Sequence, residues 1–133
     1  VIVPDASAVA LLFADPLADP RAAMARQVLA DDPAWAVPEH WRTEVLSVVR
    51  GLWLGHKLSD EHAQAAVSAL ATMVVVTTPT LVVLDRMWQL RPAMSTYDAG
   101  YVATAEAHAI TLVTADARLA RSGAARCPVH VIT

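Results

Sequence analysis

The chain predicts an α/β fold, a three-layer sandwich with helices on both faces of a mostly parallel central sheet, and three observations carry that expectation. Short apolar or β-branched runs alternate with longer segments of helical spacing. Strand–helix–strand connections cross over with one hand, which pairs the strands in parallel and covers both sheet faces. Two of the runs also end on an acid: Asp5 follows Val1-Ile2-Val3, and Asp116 follows Ile110-Thr111-Leu112-Val113-Thr114. At 133 residues the chain is expected to form one domain over its whole length, with a real core.

The first strand is predicted over Val1 to Pro4. Pro4 has no N–H to give a neighbour, so the strand is expected to end early or bulge there. A helix from near Ser7 to Ala14 follows, broken by Asp15-Pro16-Leu17-Ala18-Asp19-Pro20. Pro20 is placed to open a second helix to about Ala30, which Asp31-Asp32-Pro33 ends. Trp35-Ala36-Val37 is a short strand. After Pro38 a third helix runs to about Leu54, with Gly55 as its C-terminal cap and Trp41, Val45, Val48, Val49 and Leu52 as its apolar stripe. Ser59 caps a fourth helix to about Thr72, and Asp60 and Glu61 suit its positive first turn. Met73 to Thr77 is β-branched and reads as a strand. Thr80 opens a helix to about Leu90, Ser95 caps another to about His108, and Pro128 to Ile132 is the last strand.

Composition excludes several classes. A chain 56% hydrophobic and 17% charged has the means to bury a core, which argues against disorder. No apolar run approaches the roughly 18 residues of a membrane span, and no signal peptide is recognisable. The chain begins at Val1 rather than Met, so a trimmed start is expected. Cys127 stands alone, which allows no internal disulfide and fits a reducing compartment. A cytoplasmic protein without membrane partners is therefore expected. The net charge of −3 gives no bulk attraction to nucleic acid, so any such binding needs local features or bound metal.

Four acids, Asp5, Glu44, Asp98 and Asp116, carry the functional expectation. Each has an ordinary structural role open to it. Asp5 could cap the first helix, and Asp98, three residues after Ser95, fits a capping box. Asp116 could serve a turn, and Glu44 could be solvated. Glu44 nonetheless lies three residues from Trp41 and four from Val48, on the margin of a buried stripe. Two acids at strand ends and two on adjoining helices would gather outside the carboxyl ends of a parallel sheet, where ligands bind. Clustered carboxylates repel one another unless something offsets the charge, and hard divalent cations are the usual offset. The five histidines show no metal-ligand spacing, and a nucleotide-binding loop is absent. Most of the four tryptophans are expected in the core, with Trp88 beside Leu81 and Leu84.

Three segments then resemble a known family. They are Val3-Pro4-Asp5-Ala6-Ser7-Ala8; Pro38-Glu39-His40-Trp41-Arg42-Thr43-Glu44-Val45; and Thr96-Tyr97-Asp98-Ala99-Gly100-Tyr101-Val102-Ala103 followed by Leu112-Val113-Thr114-Ala115-Asp116. In order and spacing the chain resembles PIN-domain ribonucleases, and within them the VapC-type toxins of toxin–antitoxin pairs. The resemblance implies a PIN-like sandwich and an endoribonuclease dependent on Mg²⁺, with Mn²⁺ possible. It implies metal binding by Asp5, Glu44, Asp98 and Asp116, with Thr114 as a polar helper. Asp5 and Asp98 are expected to touch metal directly, with Asp116 and Glu44 closing the site directly or through water. Glu106 is read as a helix-surface residue. The implied partners are an RNA substrate such as tRNA or rRNA, a cognate VapB-type antitoxin, and a second copy in a homodimer. Leu11, Leu12, Phe13, Leu46 and Trp53 cannot all face one core and are expected to offer a partner surface. Two alternatives stand beside this reading. A haloacid-dehalogenase-like phosphatase would need an Asp where Ser7 stands, and a non-enzymatic interaction module would hold a structural metal.

Overall fold

Parallel pairing organises the computed structural model, which describes residues 1–133. Strands β1 (Ile2–Pro4), β4 (Thr111–Thr114) and β5 (Val129–Val131) form one sheet in the order β1-β4-β5, and β2 (Ala36–Pro38) pairs with β3 (Val76–Thr78). A parallel bridge between Ile2 and Trp35, and an Ile2 N–H donated to Ala34 O at 3.1 Å, set the second pair against β1. The strands thus lie in the order β3-β2-β1-β4-β5. Seven helices connect them: α1 (Ala6–Ala10), α2 (Arg21–Asp31), α3 (Trp41–Leu54), α4 (Asp60–Thr72), α5 (Thr80–Gln89), α6 (Thr96–His108) and α7 (Ala117–Arg121).

Alternation along the strands shows that both faces are covered. Val3 and Leu112 pack with Trp41 and Val45 of α3, Val83 and Met87 of α5, and most of α6. Their neighbours Ile2 and Val113 point the other way, into a cluster with Ala8, Leu11, Ala25, Leu29 and Ile132. This is the expected sandwich. Helix α6 lies deepest: Ala99 through Ala105 are all buried, as a helix apolar on every side must be.

Pro4 is the last residue of the first strand and makes no bulge there. It sits in register opposite Val113, and the next residue, Asp5, still donates its N–H to Val113 O at 2.9 Å. Successive N–H groups of a strand point to opposite neighbours. Ile2 donates towards β2 and Asp5 towards β4, so the donor missing at Pro4 falls on the β2 side. There β1 and β2 share only the single bridge, and Pro4 forfeits nothing to β4.

Other differences have local causes. The first helix is shorter than expected; after Ala10 the chain tightens into turns, with Leu12 N donating to Val9 O and Phe13 N to Ala10 O. Strand β3 starts at Val76 rather than Met73, because β2 offers only Ala36–Pro38 to pair with. Helix α7 is additional to the expected elements. Leu11 is core rather than partner surface. Trp41 is fully buried, whereas Trp53 and Trp88 are exposed; α5 turns Val83 and Met87 inward, which leaves Leu81, Leu84 and Trp88 on the outer face. His56 and Ala109 take left-handed backbone angles past α3 and α6, and Lys57 N to Leu52 O and Ile110 N to Ala105 O close both ends without glycine at that position. No helix is long and apolar enough to cross a membrane.

Glu106 is not a surface residue. Arg86 donates to it from Nε (2.6 Å) and Nη2 (3.1 Å), Arg126 N adds 2.8 Å, and Arg86 Nη2 also reaches Ala124 O. The pair is largely buried and ties α5 and α6 to the segment entering β5. We expect Arg86→Ala to lower stability by about 2 kcal/mol, the scale of charged hydrogen bonds lost from a buried acid. Urea unfolding measures this, and an unchanged midpoint would refute it.

Candidate active site

Successive connections leave β1 in opposite directions, towards β2 on one side and, after β3, towards β4 on the other. The crevice between the carboxyl ends of β1 and β4 is therefore the switch point where α/β sheets bind ligands. Asp5 and Thr114 stand at those two ends.

Asp5 is 4% exposed and caps α1, its Oδ1 accepting from Ala8 N at 3.0 Å and from Ser7 Oγ at 2.6 Å. Its Oδ2 accepts a short hydrogen bond from Thr114 Oγ1. The two hydroxyl protons are thereby committed. Ser7 Oγ in turn accepts from Ala115 N and Thr114 Oγ1 from Asp116 N, each at 3.0 Å. With no proton to spare, the 3.3 Å approach of Ser7 Oγ to Thr114 Oγ1 is a contact only. This knot joins β1, α1 and the β4–α7 turn. Burial raises the Asp5 pKa, the three hydrogen bonds oppose that shift, and the Asp98 charge adds to it.

Glu44 enters from the first turn of α3. Its Oε1 is buried without a hydrogen-bond partner, 3.7 Å from His40 Nε2. Burial first, and then the charges of Asp98 and Asp5, push its pKa up to about 7. The Tyr101 hydroxyl is likewise buried without a well-formed hydrogen bond; it lies near enough to Glu44 to oppose that rise, and burial together with the Glu44 charge raises its own pKa, against the Ala6 backbone. Asp98, in the first turn of α6, donates its N–H to Ser95 Oγ at 3.2 Å, so the expected cap forms. The carboxylate makes no return bond to the Ser95 N–H. Burial raises the Asp98 pKa, with the Ser95 hydroxyl opposing and the Asp116 charge adding to the rise.

Asp116 differs from the other three. It caps α7, and its carboxylate accepts from Arg118 through N (3.0 Å), Nε (3.0 Å) and Nη2 (2.8 Å). Hydrogen bonding to Arg118 lowers its pKa, whereas the others rise. The structure thus brings Asp5, Glu44 and Asp98 into one electrostatic neighbourhood, with Asp116 turned onto an arginine beside it. No three Asp, Glu, His or Cys side chains stand ready to hold an ion as placed. The donor set nevertheless suits a hard cation: carboxylates that raise one another, and a buried carboxylate oxygen without a well-formed hydrogen bond, near the Tyr101 hydroxyl and the His40 ring.

Sequence reasoning passed over Ser7, His40 and Gly100. His40 Nε2 contacts Tyr97 O at 3.1 Å, and its ring packs edge-on against Tyr97 and Tyr101. A Cβ on Gly100 would lie 2.4 Å from His40 Cε1, so the ring sits where only glycine leaves room. Two signals were legible: His40 is four residues before Glu44, and Gly100 interrupts an otherwise helical pattern.

The family profile described as PIN domain matches residues 2–124. A VapC ribonuclease of Mycobacterium bovis and ribonuclease VapC9 of Mycobacterium tuberculosis are each 36% identical over 133 residues, covering 99% of this chain and 98% of the relative. Ribonuclease VapC12 of Mycobacterium tuberculosis is 30% identical over 132 residues, covering 99% of both. Among solved structures, the fold is similar to that of Mycobacterium tuberculosis VapC20, a sarcin-ricin loop cleaving toxin. The TM-score is 0.68 at 20% identity, over 92% of this chain and 95% of that one.

Glu44 gives the site a measurable pH signature. Its native pKa of about 7 lies above its ordinary 4.5, so between those values the folded state keeps a proton that the unfolded chain has lost. Without metal, the Glu44 contribution is expected to lower stability as pH rises through that window. Glu44→Gln should flatten that part of the profile in EDTA, read as melting temperature against pH. Parallel profiles for the two proteins would rule out the raised pKa.

Proposed function

We propose, from the premise that this chain belongs to the PIN-domain family and within it to the VapC-type ribonucleases, that it is a divalent-metal-dependent endoribonuclease toxin. Asp5, Glu44, Asp98 and Asp116 would hold the metal. The observation that carries this is the buried, unpartnered Glu44 Oε1 beside two further carboxylates whose charges oppose its ionisation. That arrangement is costly alone and favourable around a cation. Mg²⁺, with Mn²⁺ as a substitute, supplies Lewis acidity to the phosphodiester and to the attacking water.

The chain's own residues do the rest. Thr114 and Ser7 fix both Asp5 oxygens, which leaves that carboxylate pre-aimed rather than free to rotate. Ser95 holds the first turn of α6 and so the position of Asp98. Arg118 occupies Asp116 through an exposed ion pair, a weak interaction that a cation can displace. Neither the phosphatase nor the non-enzymatic alternative has an observation in its favour.

The substrate is proposed to be structured RNA with single-stranded loops, such as tRNA or rRNA. An acidic chain gains little from phosphate charge, so recognition falls to loop shape and splayed bases. The proposed partner is a VapB-type antitoxin in the cytoplasm. Two grooves along α4 support it: a mixed one of about 620 Å³ with Phe13, Leu58 and Ala66 beside Arg26 and Lys57, and a more apolar one of about 350 Å³ lined by Leu46, Trp53 and Val67. The outward row Leu81, Leu84 and Trp88 on α5 supports self-association as a homodimer.

Purified protein is expected to cleave RNA in Mg²⁺ or Mn²⁺ and to lose that activity in EDTA. Asp5→Asn, Glu44→Gln, Asp98→Asn and Asp116→Asn should each reduce kcat/KM at least about 10²-fold. Two such variants with near-parental rates would sink the four-acid site. For the partner surface, Trp53→Asp is expected to weaken antitoxin binding about tenfold while cleavage survives, because Trp53 is 44% exposed and lines the α4 groove with Asp60 rather than the four-acid site. Calorimetric titration reads the effect, and unchanged affinity would place the antitoxin elsewhere.

A further inference from the structure

We propose that the exposed ring of Tyr97 is a stacking platform for one nucleobase of the RNA strand, braced by His40 in the notch that Gly100 opens. The proposal rests on the ribonuclease reading and adds a binding subsite to it. Tyr97 is 60% exposed and immediately precedes Asp98. The other exposed large aromatic rings are committed elsewhere: Trp53 lines a groove with α4, and Trp88 lies on α5 beneath the Arg91 guanidinium.

The ring is held, not merely left outside. His40 packs against it with centroids 5.3 Å apart at 75°, and His40 Nε2 contacts the Tyr97 carbonyl at 3.1 Å. The same imidazole packs on buried Tyr101 at 5.2 Å and stands 3.7 Å from Glu44. Aromatic rings therefore run from Glu44 through His40 out to Tyr97. Its seat has a cost, because glycine weakens a helix interior, and Gly100 is the residue whose missing side chain admits the imidazole. A helix weakened beside a site so that one particular ring can be seated there is the pattern expected of functional residues.

The chemistry of the surroundings selects the ligand. Single-stranded bases stack on aromatic faces whatever their sequence, and that contact does not depend on positive charge. An acidic protein lacks the bulk phosphate attraction it would replace. A lone exposed ring next in the chain to Asp98 suits a flat base with polar edges better than an aliphatic side chain. With the base on Tyr97, the adjoining phosphodiester lies towards Asp98 and Glu44.

The test uses the full chain carrying Asp5→Asn, which keeps a good α1 cap, and a single-stranded RNA dodecamer containing 2-aminopurine, in Mg²⁺. Binding is expected to quench the fluorescent base. Tyr97→Ala should abolish the quench and weaken affinity about tenfold, while Tyr97→Phe and Tyr97→Trp keep both. Gly100→Ala, which drives the imidazole out with Tyr97 intact, should weaken affinity severalfold. With Asp5 restored, the Tyr97→Ala loss should appear in KM rather than kcat. Parental binding and quenching by Tyr97→Ala, or equal rescue by Tyr97→Leu, overturns the platform and leaves the ribonuclease standing. Absence of RNA cleavage by the parental chain overturns the ribonuclease reading and the platform with it.

Discussion

A carboxylate cannot be buried at the end of a parallel strand unless its hydrogen bonds are found locally, and Asp5 finds them in residues that are far apart in the chain. Ala8 N and Ser7 Oγ come from the helix it caps, and Thr114 Oγ1 comes from a strand 109 residues away. Because the two hydroxyls in turn accept from Ala115 and Asp116 N–H groups, the knot also sets the path of the chain out of β4. The parallel register of β1 against β4 brings these partners together, and the Asp116 N–H bond to Thr114 Oγ1 lies at the start of α7. Replacing the acid with an apolar residue would leave hydroxyls and an amide unpaired in a buried place, the costlier half of a broken polar network.

Around that knot the acids are deliberately unequal. Asp5 is buried and hydrogen-bonded, Glu44 is half-buried with an oxygen that lacks a well-formed hydrogen bond, and Asp116 is satisfied by Arg118. Charge on Asp5, Glu44 and Asp98 is mutually opposed, so the fold holds them in a state that a cation would relieve. Under the metal-binding proposal, stability and function would pull in opposite directions here, as they do in sites pre-organised for a ligand.

Packing supplies the rigidity that such a site requires. Helix α6 presents Asp98 at the N-terminal edge of its buried stretch Ala99–Ala105, and the Arg86–Glu106 pair pins its other end to α5 and to the approach of β5. Small residues at Ala99, Gly100, Ala103 and Ala105 let neighbours approach closely, and at Gly100 the neighbour is the partly exposed His40 imidazole rather than an apolar core side chain. The two grooves along α4 are lined by other residues, among them Leu58, Ala66, Trp53 and Val67.

The sequence by itself determined what depends on neighbours a few residues apart. Hydrophobic period, proline and glycine placement, and the caps at Ser59 and Ser95 are local, so the alternation of strands and helices, the α/β class and the stripe of Trp41, Val45 and Val49 were legible. The four acids were legible as candidates for the same reason, since strand ends and helix margins are read locally. Tertiary structure decided what each acid experiences: that Glu44 is the strongly raised one, that Asp116 rests on Arg118, and that Ser7 and Thr114 spend their protons on Asp5. It also decided that Leu11 is core while Trp88 is exposed, and that His40 and Gly100 belong together. Burial and charge coupling are set by distances in space, and those exist only once β1 and β4, more than a hundred residues apart, lie side by side.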